Sequence, residues 1–339
     1  VGARKIPTTS EAAVNLPTFD DVLDAARVLA GKAVPTPLLE SETVNRRVGG
    51  RLLFKAEPLQ RTGSFKFRGA YNCISRLTQE ERRRGVVAYS SGNHAQGVAT
   101  AARLLGAPAT IVMPSDAPPL KIERTRAAGA EVRLYDRWGE SREEIAEAIR
   151  AQSGATMVPP FEHPHIIAGQ GTIGLEIVAQ ARALDARPDL VIAPCSGGGL
   201  SSGIALAIKG QGLATEIWLA EPRDFDDAGR SLRGGGRVKN PSGIDSFCDA
   251  LLSPSMGELT FAVGSPRLAG GVSASDAEVA EAMRVAFAEL KLVVEPGGAC
   301  AFAALLAGRI DLAGRTAVVV LSGGNVAPDL FAAVLRGER

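Results

Sequence analysis

Gly85-Val86-Val87-Ala88-Tyr89-Ser90-Ser91-Gly92-Asn93-His94 is the stretch on which the fold turns. Its first five residues form an apolar run of strand length. Its last five are small and polar, and they open into 95–105, a run built largely from Ala, Val and Leu. A strand that passes through a polar turn straight into a helix is the unit of a parallel α/β sheet. The unit repeats downstream. Ala109-Thr110-Ile111-Val112-Met113 is a strand closed by Pro114, and 120–128 is a helix ending at Gly129. Glu131-Val132-Arg133-Leu134-Tyr135 is the next strand, and 141–153 a helix with Ser141 as N-cap and Glu144 at the capping-box position.

A second set lies further along. The spacing predicts a helix over 172–183 and a buried strand at Leu190-Val191-Ile192-Ala193-Pro194. Ser196-Gly197-Gly198-Gly199-Leu200 and a helix over 201–209 follow. Glu216-Ile217-Trp218-Leu219-Ala220 is a strand, 275–290 one long helix, 299–307 another, and Thr316-Ala317-Val318-Val319-Val320-Leu321 the last strand. Upstream, 1–16 reads as a loose arm, 18–29 as a helix capped by Thr18, and Val34-Pro35-Thr36-Pro37 as an extended segment. The organisation expected is a small α/β domain, 75–160, inserted in a larger one made of 1–74 and 161–339.

The chain has 339 residues, 45% of them apolar and 22% charged, which suits a globular protein with a sizeable core. Net charge is +1, so nothing points to nucleic acid or an anionic membrane surface. No stretch is apolar enough to span a bilayer, and the first residues lack the apolar core of a signal peptide. The four cysteines are far apart in sequence with no C-x-x-C pair, so zinc is not expected and a cytoplasmic location is.

Four stretches carry chemistry. Lys66, in Gly63-Ser64-Phe65-Lys66-Phe67-Arg68-Gly69-Ala70, stands at a loop-to-helix junction between two aromatic rings. Alone, such a lysine reads as a snorkelling side chain. In an apolar site, desolvation would lower its pKa and make the amine a nucleophile. Ser196 to Leu200 join a buried strand to a helix N-terminus, where three glycines let backbone N–H groups close on an anion. The spacing matches neither a dinucleotide fingerprint nor a Walker A loop, so a single phosphate is expected. Ser90 to His94 could take a small carboxylate or simply cap a helix. Ser322-Gly323-Gly324-Asn325 ends a strand where ligands bind in open α/β sheets. A phosphorylated aldehyde held by a lysine would use all four, and pyridoxal 5'-phosphate fits.

These stretches, with Ala168-Gly169-Gln170-Gly171-Thr172 and Glu295-Pro296-Gly297-Gly298-Ala299, resemble the threonine/serine dehydratase and serine racemase family. This is the tryptophan synthase β-like, fold-type II group of pyridoxal-phosphate enzymes. The resemblance implies two open, twisted, mainly parallel sheets flanked by helices. It implies that Lys66 holds the cofactor covalently and removes the substrate α-proton. Phe65 would pack on the ring, Asn93 bond its hydroxyl, Ser196, Gly197, Gly198, Gly199 and Leu200 bind the phosphate, and Ser322 face the ring nitrogen. Glu295 falls among the cofactor contacts. Ser90, Ser91, Asn93 and His94 would hold the substrate carboxylate, with Ser91 the acid/base of racemase-like members. A serine at 322 leaves the ring nitrogen largely neutral, which favours β-elimination. Glu221, Asp227 and the carbonyl of Phe225 would hold Mg²⁺, Ca²⁺ or Mn²⁺. One departure is His163, where the family often has an acidic residue. It could meet a second substrate carboxylate or be a neutral surface residue.

The expectation is an ammonia-lyase removing water from threonine, serine or 3-hydroxyaspartate, in a homodimer. Two alternatives are an amino-acid racemase on the same scaffold and a non-catalytic binder of a phosphorylated metabolite.

Overall fold

The computed structural model describes residues 16–339; the N-terminal arm read from the sequence lies, but for Leu16, outside them. Ten strands run through the described residues: β1 (Leu38–Glu40), β2 (Arg51–Ala56), β3 (Val86–Tyr89), β4 (Ala109–Pro114), β5 (Glu131–Tyr135), β6 (Thr156–Met157), β7 (Leu190–Pro194), β8 (Glu216–Pro222), β9 (Gly270–Ala274) and β10 (Thr316–Leu321). They form a six-stranded sheet in the order β1-β2-β10-β7-β8-β9 and a four-stranded sheet in the order β5-β4-β3-β6. Only β1 is antiparallel. Two open, mainly parallel sheets flanked by helices are the architecture the sequence predicts.

Parallel pairing decides where the chemistry falls. β10 lies between β2 and β7, with Leu321 level with Ala56 and Val319 with Ile192. The carboxyl ends of the three strands therefore share one edge, and the segments leading to Lys66, Ser322 and Ser196 all leave from it. In the smaller sheet β3 has β4 on one side and β6 on the other. The Ser90-Ser91-Gly92 turn thus stands at a topological switch point, where such sheets open a crevice. β10 is buried from Ala317 to Leu321, and Phe54 of β2 meets Phe302 edge-on at 4.9 Å.

Two helices differ from the sequence reading. The segment expected at 172–183 is one longer helix, Pro164–Ala183, and Gly169, Gly171 and Gly174 lie inside it. They are contact points. A Cβ on Gly169 would come 2.7 Å from Gly69 Cα, and one on Gly203 2.4 Å from the Ile167 carbonyl oxygen. Only hydrogen side chains let the helices Lys66–Ser75, Pro164–Ala183 and Gly199–Gly210 approach this closely. The helix expected over 275–290 is α-helical at Asp276–Val285, then widens to a π turn at Ala286–Leu290. All four cysteines are buried and free. Among the described residues no helix is long and apolar enough to cross a membrane.

Candidate active site

Lys66 is the first residue of its helix. The loop before it is tied to the end of β10: Ser64 bridges Gly323, and the Phe65 N–H donates to the Ser322 carbonyl at 3.1 Å. The lysine amine donates to the Pro160 carbonyl at 2.7 Å and lies 5.1 Å from the Phe65 ring centroid. No carboxylate of the described residues lies within ion-pair distance of it. Burial pulls its pKa down to about 8, against a partial counter-pull from the Glu295 carboxylate.

Asn93 opens the helix Asn93–Leu105 beyond the β3 turn. Its Nδ2 donates to Glu295 Oε1 at 2.6 Å, and its Oδ1 accepts from Asn325 Nδ2 at 2.7 Å. Asn325 Nδ2 also donates to the Thr62 carbonyl at 2.7 Å. Glu295 is buried, and its carboxyl is pushed up to about 7, chiefly by burial and then by Asp249. Ser90 Oγ accepts from the Gly92 N–H at 3.2 Å, which shapes the turn. Ser91 is half-buried.

The glycine loop follows β7. Gly198 has φ +89°, a left-handed backbone that a side chain would strain, and a Cβ there would sit 2.6 Å from Met256 Cε. A Cβ on Gly197 would fall 2.3 Å from the Phe161 ring. Ser196 Oγ donates to Ser253 Oγ at 2.7 Å, and the Gly197 carbonyl accepts from Thr260 Oγ1 at 2.6 Å. The loop is braced from behind, at the N-terminus of a helix whose first N–H groups have no helical partner.

These features fit a phosphorylated aldehyde cofactor. A half-buried amine without a carboxylate partner can be held as a covalent adduct, side chains are barred from the glycine loop, and Ser64 Oγ is buried with no partner. A family profile described as "Pyridoxal-phosphate dependent enzyme" matches residues 30–323. The chain belongs to that family. It is similar to the L-threo-3-hydroxyaspartate ammonia-lyase of Saccharomyces cerevisiae, 40% identical over 95% of this chain and 98% of that one. It is 38% identical to the serine racemase of Schizosaccharomyces pombe, over 94% of this chain and 97% of the other. Among solved structures, the threonine deaminase of T.th. superposes with a TM-score of 0.85 at 42% identity, covering 92% of this chain and 99% of that one.

Within this pyridoxal-phosphate scaffold, two histidines sit differently from the sequence expectation. The His94 ring is buried, with Nε2 bonded to the Val158 carbonyl at 2.8 Å. Burial, then the charge of Lys66, lowers its pKa to about 3, so the ring is neutral and structural. His163 is the N-cap of Pro164–Ala183: its Nδ1 accepts from the His165 N–H at 3.2 Å and lies 3.7 Å from Cys73 Sγ. Burial drops it to about 4. It is neutral, as one reading held, but half-buried and engaged as a cap. Glu221 and Asp227 are both buried. Glu221 accepts from the Ala228 and Gly229 N–H groups at 2.9 and 2.8 Å, and Asp227 from Asn240 and the Met256 N–H at 2.6 Å each. Among the described residues no three His, Cys, Asp or Glu side chains converge as a metal site.

Arg142 is exposed on the helix Arg142–Ser153. Its guanidinium lies 5.2 Å from the Tyr89 ring centroid, just before Ser90, and pairs with Glu143 at 2.8 Å. It belongs to a helix of exposed charges, and nothing in the sequence sets it apart from them.

Proposed function

We propose that this protein is a pyridoxal-phosphate-dependent ammonia-lyase that converts a small β-hydroxy amino acid to a 2-keto acid and ammonia. The observation that carries the reading is the Lys66 amine, lowered to about 8, without a carboxylate partner, on the edge shared with the glycine loop and Ser322. When bound, pyridoxal phosphate supplies a conjugated ring that accepts negative charge from the substrate α-carbon. Lys66 would hold it through Nζ, Asn93 through its amide, Ser196 to Leu200 through backbone N–H groups and Ser322 through its hydroxyl, with Phe65 and Glu295 alongside.

The remaining work falls to side chains and backbone. Near neutral pH a useful fraction of Lys66 is unprotonated, so Nζ can take the α-proton. Ser90, Ser91 and Asn93 receive the substrate carboxylate at a helix N-terminus. His94 contributes there through its backbone N–H, since its ring is committed to Val158. The uncharged Ser322 favours prompt departure of the β-hydroxyl as water. Among substrates, 3-hydroxyaspartate is favoured by the yeast relative.

Ser91 supports a second reading. Its hydroxyl makes no hydrogen bond among the described residues, and it could serve as acid/base for racemisation. Keto-acid release from L-threonine, L-serine, the 3-hydroxyaspartates and D-serine, with chiral analysis of the remaining substrate, separates the two. Interconverted enantiomers without keto acid would sink the lyase reading.

The reading includes a divalent cation on Glu221, Asp227 and the Phe225 carbonyl. Both carboxylates are buried, and hard oxygen donors suit Mg²⁺, Ca²⁺ or Mn²⁺. Loss of thermal stability on chelation is expected. It also includes a cytoplasmic homodimer and an inserted domain at 75–160, which sedimentation and limited proteolysis would check for assembly and boundaries.

A further inference from the structure

Thr62 has φ +64°. It is the one β-branched residue among the described non-glycine residues with left-handed backbone, a conformation that crowds such a side chain. Its own hydroxyl does not compensate, because Oγ1 is buried without a partner. What the strained turn achieves is the direction of the Thr62 carbonyl, which meets Asn325 Nδ2 at 2.7 Å.

That contact fixes everything beyond it. A carbonyl only accepts, so Asn325 must present its NH₂ group to Thr62. The same NH₂ group reaches Asn93, which must therefore present Oδ1, at 2.7 Å. The Asn93 NH₂ is then turned to Glu295 Oε1, at 2.6 Å, which uses one of its two hydrogens and leaves the other free for a ligand. Gly63 leaves room for this line, since a Cβ there would lie 2.7 Å from Asn325 Oδ1.

We propose that Thr62 and Asn325 form a positioning relay that sets the orientation of the Asn93 amide and so aims its free N–H at the cofactor ring. The inference rests on the reading of Asn93 as the ring contact. Asn325 touches neither substrate nor cofactor in this account; it acts through Asn93.

The test uses the full chain with Asn325→Ala, Asn325→Asp and Asn93→Ala, singly and as the Asn325→Ala/Asn93→Ala double variant. The readouts are the dissociation constant of pyridoxal phosphate and the position of the visible band of the loaded protein. Asn325→Ala should weaken cofactor binding about tenfold and shift the band. Asn325→Asp should do worse than alanine, because its oxygens would face two acceptors, whereas loss of packing alone would favour the near-isosteric aspartate. The double variant should be no weaker than Asn93→Ala, within about twofold. Binding and band unchanged in Asn325→Ala, aspartate no worse than alanine, or additive losses would each overturn the relay. If Asn93→Ala moves both readouts and the Asn325 variants move neither, the relay fails while the ring contact stands. If Asn93→Ala moves neither, the ring contact itself is wrong and the relay falls with it. Should Asn325→Asp not fold, Asn325→Ser, which keeps a donor, must fall between wild type and alanine, and a loss as large as alanine's would count against the relay.

Discussion

Arg68 and Lys66 are two cations two residues apart on one helix, on different faces of it. Arg68 forks onto Glu57 at 2.8 and 2.9 Å and onto Glu176 at 2.5 and 2.9 Å. Lys55 joins Glu176 at 2.6 Å, and the Thr36 hydroxyl donates to Glu57 at 2.5 Å. Two cations and two carboxylates thus close on one another in the interior. Burial alone would lower the Arg68 pKa, but its carboxylates hold it above the ordinary value. Lys66 has only a carbonyl partner, and there burial prevails. Between Arg68 and Lys66 the difference is the supply of counter-charge within bonding distance, although Lys55, 2.6 Å from Glu176, is itself held below its ordinary value by burial.

Exchanging what each cation does is the strongest way to break this contrast. Lys66→Ala should lower keto-acid release by about 10⁴-fold or more and abolish the visible band, with the cofactor-free fold as stable as wild type or more so. Arg68→Ala should do the opposite and cost about 3–5 kcal/mol in urea denaturation, because it strands buried carboxylates. If Lys66→Ala destabilises as much as Arg68→Ala, the contrast fails.

Titration sharpens it next. Glu295 titrates at about 7 in the fold rather than at the ordinary 4.5. Its contribution to stability is complete below about 4.5 and is lost as pH rises to about 7, a fall of about 3 kcal/mol. Lys66 runs the other way: its depressed pKa penalises the unloaded fold below about 8, and stability returns as pH rises from there toward 10.5. Denaturation of the cofactor-free protein across this range should show the first slope vanish in Glu295→Gln and the second in Lys66→Ala. No resolvable slope is expected from Arg68. Gly198→Ala should cost about 1–3 kcal/mol of cofactor affinity through backbone strain and contact with Met256. Thr18→Ala, whose side chain bonds only within its own cap, should cost about 1 kcal/mol of thermal stability through the lost capping box, with affinity untouched.

Legibility followed the same physical line. Strands β3, β4, β5, β7, β8 and β10 stood out because apolar runs announce themselves locally. β9, Gly270-Gly271-Val272-Ser273-Ala274, has no such run, and its pairing with β8 supplies what its composition lacks. The helix at Pro164–Ala183 was half hidden because glycine reads as a breaker until a neighbouring helix is seen against it. Lys66, Asn93 and Ser322 all stand beside turns, but the roles proposed for Asn93 and Ser322 rest on the resemblance and not on residue type alone. The bonds from Asn93 to Glu295 and Asn325 span 202 and 232 residues, and no local pattern encodes them. The Arg68 cluster was missed for the same reason: its partners at 55, 57 and 176 look like ordinary surface charges in the sequence.

β10 is the last strand along the chain, yet it fills the middle of its sheet. Until it has been synthesised, β2 and β7 have no strand to join them, and both present bare edges. A growing or truncated chain therefore carries two apolar strands open to other molecules, and the catalytic edge cannot exist in part. A chain ending at residue 315 should scatter light on refolding where the whole chain stays clear. The order of synthesis brings the centre of this sheet after both of its neighbours, so ribosomal stalling or proteolysis ahead of residue 316 would leave an aggregation-prone fragment in place of a weakened catalyst.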